Sequence, residues 1–97
     1  MNNTENIFSG KKILIYGLGK SGVSSYKFLK NKADVYLFDD SLKNNLNFNK
    51  KLIGFKKVSL LNFERIIISP GIDIYNCKLS KYLKKNLSKI YTDLDVF

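Results

Sequence analysis

The sequence contains no histidine and a single cysteine, Cys77. One Cys without His excludes a Cys–His dyad, an ordinary zinc site and a disulfide framework within the chain. Cys77 reads as a small core or near-surface residue. No metal ligands and no catalytic residue can be assigned. Arginine is almost missing as well: Arg65 is the only one among 17 basic residues. With 8 acidic residues the formal charge is +9, which raises the question of nucleic acid. The usual base-reading side chain is nearly absent, however, and the lysines are scattered from Lys11 to Lys89. No run reaches five like charges, and Lys, Asn and Ile are enriched together, as coding bias would produce. A solvated basic face is expected, and no nucleic-acid partner. No stretch approaches the roughly 18 consecutive apolar residues of a membrane span. Met1 to Gly10 is polar, without the apolar segment of a secretory leader. A cytoplasmic protein with no membrane partner is expected, and a monomer.

What is present is enough apolar character, 44% of 97 residues, for one small domain. Residues 1–10 read as a loose lead-in, with Ile7 and Phe8 able to tuck against a domain over residues 11–97. That domain is organised around Lys12 to Gly22, KILIYGLGKSG. Ile13 to Tyr16 form a short apolar run suited to a strand buried on both faces. It breaks into Gly17-Leu18-Gly19-Lys20-Ser21-Gly22, and a helical pattern follows. This is the strand–glycine-turn–helix layout of a nucleotide-binding unit. Gly17 lets the chain turn off the strand, Gly19 lets a phosphate approach the backbone, and Gly22 lets the helix pack close to the strand. Asp39-Asp40 closes a second strand about 20 residues beyond the loop, where such folds hold a ribose or base.

In chain order, a helix is expected over residues 21–31, with Val23, Tyr26 and either Phe28 or Leu29 inward and Lys27 and Lys30 in water. Strand two is Val35 to Phe38. The Asn-rich stretch 41–49 reads as a loop, with a short helix near 49–54. Lys56 to Leu60 reads as strand three, and Arg65 to Ser69 as a central strand four that stops at Pro70-Gly71. Asn76 is the expected cap of a helix to residue 86, with Leu79, Tyr82 and Leu83 inward. Strand five is Ser88 to Tyr91. Alternating strands and helices give an α/β fold: a doubly wound five-stranded parallel sheet, order 3-2-1-4-5, with helices on both faces. Three sequences then converge on one edge. They are the glycine loop, Asp39-Asp40 and Ser69-Pro70-Gly71. One reading of that edge is an NAD(P)- or flavin-binding domain, with Asp39 on the adenosine ribose. Another reading of the whole chain is a basic, non-enzymatic module that binds nucleic acid or anionic surfaces, which would need a clustered basic face.

The segments ILIYGLGKSGVS, LFDDS, IIISPGI and YTDLDVF together resemble the N-terminal domain of the bacterial Mur ligases. The resemblance covers residues 11–97. The ligase members it is nearest to add D-glutamate to UDP-N-acetylmuramoyl-L-alanine in peptidoglycan synthesis. It implies a Rossmann-like domain that holds the uridine diphosphate part of that substrate. In this family ATP and Mg bind a second domain, through a GxxxxGK[ST] loop that this sequence does not contain. A third domain receives the amino acid. The resemblance therefore implies one piece of an enzyme, ending where Phe97 would hand over to the next domain and inactive by itself. It assigns Gly17, Gly19, Lys20, Ser21 and Gly22 to the diphosphate and Asp39 to the uracil or ribose side. Asp40 and Ser41 stand where some relatives carry a hydroxyl and a base-covering Arg. Ser69, Pro70 and Gly71 match a loop closing over the nucleotide and muramoyl region. Asp73 receives no role.

Overall fold

The structure is a computed structural model and describes residues 7–17, 19–39 and 51–96. Asp40, Ser41 and the loop expected at 41–49 lie outside the described residues, as do residues 1–6, Leu18 and Phe97.

Strand β1, Lys12–Tyr16, lies at the centre. Helix α1, Lys20–Leu29, follows the glycine turn and leads to strand β2, Asp34–Phe38. Helix α2, Phe55–Leu61, precedes strand β3, Arg65–Ile68. Helix α3, Ser80–Lys85, runs through a 3-10 turn, Leu87–Lys89, into strand β4, Ile90–Thr92. A short helix α4, Asp93–Val96, comes last. All pairings are parallel, and the order is β2-β1-β3-β4.

Strand alternation sorts the core into two faces. Ile13, Ile15, Val35, Leu37 and Ile67 point to the side covered by Phe8, Leu29 of α1 and Val96 of α4. Leu14, Tyr16, Phe38, Ile66 and Ile68 point to the side covered by Val58 of α2 and by Leu79 and Leu83 beside and within α3. The crossover from β1 to β2 thus passes one face and those from β2 to β3 and β3 to β4 pass the other. That is what a chain with one hand of crossover does when its direction reverses at β1. In sheets of this kind ligands bind beyond the carboxyl ends of the strands flanking the reversal, here β1 and β3.

The parallel α/β architecture matches the expectation, but the five-stranded sheet does not. Lys56 to Leu60, expected as a strand, lies within helix α2. Gly54 stands at the head of that helix and Asn62 ends it in the left-handed conformation, φ 57°. Both are chain-stopping positions for a helix, and Asn is among the few residues that adopt this φ at modest cost. The outer edge of β2 instead carries one isolated bridge, Leu37 to Leu52. Its hydrogen bonds run from the Leu37 N–H to the Lys51 carbonyl, 2.8 Å, and from the Ile53 N–H to the Leu37 carbonyl, 2.9 Å. Lys51 also pairs with Asp34 at 3.3 Å, an exposed contact of the kind worth at most about 1 kcal/mol. The helix expected near 49–54 is therefore a bridge over its described part. The helix expected from Asn76 begins at Ser80, because turns occupy the preceding residues: Asp73 accepts the Tyr75 N–H at 3.0 Å, and the Asn76 N–H bonds the Asp73 carbonyl at 3.0 Å. Of the inward positions expected on α1, Leu29 is buried, while Val23, Tyr26 and Phe28 are half-buried. No helix among the described residues is long and apolar enough to cross a membrane.

Candidate functional site

The site is built where the chain leaves β1. Gly17 is buried and adopts φ +98°, a conformation that L side chains rarely take. Its N–H donates to the Phe38 carbonyl at 2.8 Å, fastening the turn to the end of β2. On its other side the Ser69 hydroxyl donates to the Gly17 carbonyl at 3.2 Å, fastening it to the loop after β3. The Ser69 N–H continues the link, reaching the Tyr16 carbonyl at 3.2 Å. A Cβ on Gly17 would stand 2.6 Å from the Ser69 hydroxyl oxygen and 2.9 Å from Cδ1 of Ile72. One residue thus joins all three loops at this edge of the sheet.

Gly22, in the first turn of α1, packs onto that same junction. A Cβ there would fall on the Gly17 carbonyl oxygen, with Cγ2 of Ile15 beyond it at 3.7 Å. The close approach of helix and strand expected at this glycine is present. Gly19, at the head of α1, differs: it is exposed, and a Cβ added to it meets nothing within 4 Å among the described residues. No described residue closes off the backbone at Gly19. The first-turn N–H groups of an α-helix have no partner within the helix, and no side chain caps this one. Lys20 is exposed at the same end. Ser21 belongs to the first turn. Helix-end N–H groups, the positive end of the helix dipole and one ammonium make a place for an anion.

Asp39 follows β2 directly and is half-buried, next to the Phe38 carbonyl that receives Gly17. A carboxylate at this position in the chain, just past β2, has the chemistry to accept hydroxyl or N–H donors of a ligand. Tyr16 and Phe38 pack beneath these loops with ring centroids 5.5 Å apart, giving the strand ends a firm floor. Pro70 and Gly71 are exposed, and the turn they form is closed by the Ile72 N–H on the Ser69 carbonyl, 3.1 Å.

The described residues thus bring together Gly17, Gly22 and Ser69 by direct contact, with Gly19, Lys20 and Asp39 on the same edge. Asp40 lies outside them. Two features escaped the sequence reading. Ser69 braces the glycine turn with its hydroxyl, a contact between positions 52 apart in the chain that no local pattern encodes. Asp73, given no role, orders the loop through its carboxylate bond to Tyr75. An Asp two residues before the accepted N–H is the signature of such a turn and was available to be read.

The sequence profile of the family described as Mur ligase MurD-like, N-terminal domain, matches residues 11–90. Among curated proteins, the UDP-N-acetylmuramoylalanine--D-glutamate ligase of Rickettsia prowazekii is 34% identical over 98 aligned residues, covering 95% of this chain and 22% of that protein. The protein of the same name from Buchnera aphidicola is 36% identical, covering 93% of this chain and 22% of its own length. The one from a Thermoanaerobacter species is 41% identical over 76 residues, 67% of this chain and 17% of that protein. The chain spans about a fifth of the length of the curated relatives it matches. No solved structure matches it.

Proposed function

The chain belongs to the Mur ligase family as a MurD-like N-terminal domain, and we propose that it holds the uridine diphosphate end of UDP-N-acetylmuramoyl-L-alanine. The observation that carries this reading is the junction at Gly17, which draws the loops after β1, β2 and β3 to one edge while no described residue closes off the backbone at Gly19. The diphosphate lies over Gly19, Lys20, Ser21 and Gly22, where helix-end N–H groups and the Lys20 ammonium offset its charge. Asp39 accepts from the uracil or ribose. Pro70 and Gly71 border the nucleotide and muramoyl region, with Ser69 holding their loop in place.

In a whole ligase of this kind, ATP with Mg activates the substrate carboxylate as an acyl phosphate. The amine of D-glutamate then attacks it, releasing phosphate and ADP. The role of the present chain is positioning: binding energy from the remote UDP end orients the reacting carboxylate. It contributes no catalytic residue, and by itself it turns over no ATP.

Gly19 gives the direct test. An added side chain meets none of the described residues there, so Gly19→Asp is expected to leave the fold intact and to place a carboxylate where the diphosphate would lie. Calorimetric titration with UDP is expected to show affinity on the order of a millimolar, since a small interface must offset the entropy of association. Gly19→Asp should weaken it at least tenfold with the melting temperature unchanged. Equal affinity in the variant would remove the diphosphate from this loop.

A further inference from the structure

A second concave site lies away from the strand ends, between α2 and α3. It is a groove of about 220 Å³ with an apolar floor of Phe55, Val58, Leu79 and Tyr82. Lys78, Lys81 and Lys85 line it, and among the described residues no carboxylate does. The three lysines recur along one side of α3 and its lead-in at helical spacing. Neither Lys81 nor Lys85 has an ion-pair partner among the described residues. Residues 74–92 contain five lysines, Lys78, Lys81, Lys84, Lys85 and Lys89, and no Asp or Glu. Three lysines from one short stretch, residues 78–85, thus rim an apolar cleft. Phe55 is left 57% exposed at its mouth.

We propose that this groove docks an acidic polypeptide segment of another protein, one that presents a bulky apolar side chain between carboxylates. Charge complementarity selects the partner: the lysines along α3 and its lead-in repel a basic segment, and they attract and register an acidic one. The apolar floor supplies the anchor pocket that a small interface needs for affinity. Concavity decides against a lipid surface, which could touch the exposed Phe55 but not reach Val58 or Leu79. The scarcity of arginine decides against a nucleic acid. The groove shares no residue with the nucleotide loops, so its fate is independent of the UDP reading.

The test uses the isotopically labelled chain and an acetylated synthetic hexapeptide, Glu-Glu-Leu-Phe-Glu-Glu, as the probe. Two control peptides replace Glu by Lys, or Leu and Phe by Ala. The acidic apolar peptide should shift the amides of Val58, Ser59, Lys81 and Tyr82. Both controls should bind at least tenfold more weakly. The double variant Lys81→Glu with Lys85→Glu changes exposed side chains only, so it should fold as before and lose the peptide at least tenfold. UDP shifts at Gly19 and Asp39 should be the same in that variant. Equal binding of the Ala-substituted peptide, shifts confined to other surfaces, or undiminished binding by the double variant would each overturn the proposal. So would phosphatidylglycerol vesicles that shift the groove amides while the peptide does not.

Discussion

Gly22 shows how much can rest on one missing methyl group. The first turn of α1 sits directly on the carbonyl of Gly17, and that carbonyl is held on its far side by Ser69. Neither backbone neighbour can yield as a flexible side chain would. Gly22→Ala is therefore expected to cost about 1–3 kcal/mol, the range for forcing an extra group into packed structure. For a domain of this size each kcal/mol lowers the melting temperature by roughly 4–8 °C. Gly19→Ala, two residues before the same turn closes, should change stability by no more than about 0.5 kcal/mol. Thermal unfolding of the two variants side by side checks this, and equal losses would mean that the close approach at Gly22 is not there. Tyr82 offers a second check at this scale. Burial pushes its phenol above the ordinary value of 10.0, while a backbone hydrogen bond at Phe63 pulls the other way without cancelling it. The folded chain thus favours the neutral phenol. Stability from this group is fully present below pH 10.0 and is lost as pH rises through the folded value, because the unfolded chain gives up the proton first. Tyr82→Phe should remove that part of the alkaline decline, measured as the difference between the two chains' denaturation midpoints from pH 9 to 11.

The helix α2 is where local pattern and structure part. In KKVSL, Val58 and Leu60 are two apart, and five residues of alternating character suit a strand as well as a helix. As a strand, both would point inward. As a helix they point to different sides, and Val58 is 1% exposed while Leu60 is 78% exposed. Val58→Glu should therefore unfold the chain or cost several kcal/mol, whereas Leu60→Glu should stay within about 0.5 kcal/mol. Urea titration of both variants separates the two geometries. The helix could have been read from its ends: Gly54 before it, Asn62 after it, and Phe55, Val58 and Leu61 at threes between them. The strands β1 and β3 were legible because three or four consecutive apolar, mostly β-branched residues have no exposed face, which only a central parallel strand provides. The glycine turn was legible because its spacing encodes its own geometry. The Ser69 brace and the lysine-rimmed groove were not, since each depends on which distant elements the fold sets side by side.

At the scale of the whole molecule, two layers of helix fix a sheet whose direction of growth reverses at β1, and such a reversal is where α/β sheets take their ligands, beyond the carboxyl ends of β1 and β3. Any diphosphate could use the first turn of α1. What separates a uridine nucleotide from a dinucleotide is the rest of the ligand. A dinucleotide ordinarily needs a second mononucleotide-binding half, and the described residues form one four-stranded sheet. A uridine nucleotide needs only Asp39 and the loop that Ser69 holds. The measurement that bears most directly on this is an amide-shift titration of the labelled chain with UDP and, separately, with NAD. UDP is expected to move Gly19, Lys20, Ser21, Asp39 and Gly71 together, at lower concentration than NAD moves any of them. If NAD moves that set first, or if UDP leaves it still, the chain does not hold a uridine diphosphate at this edge.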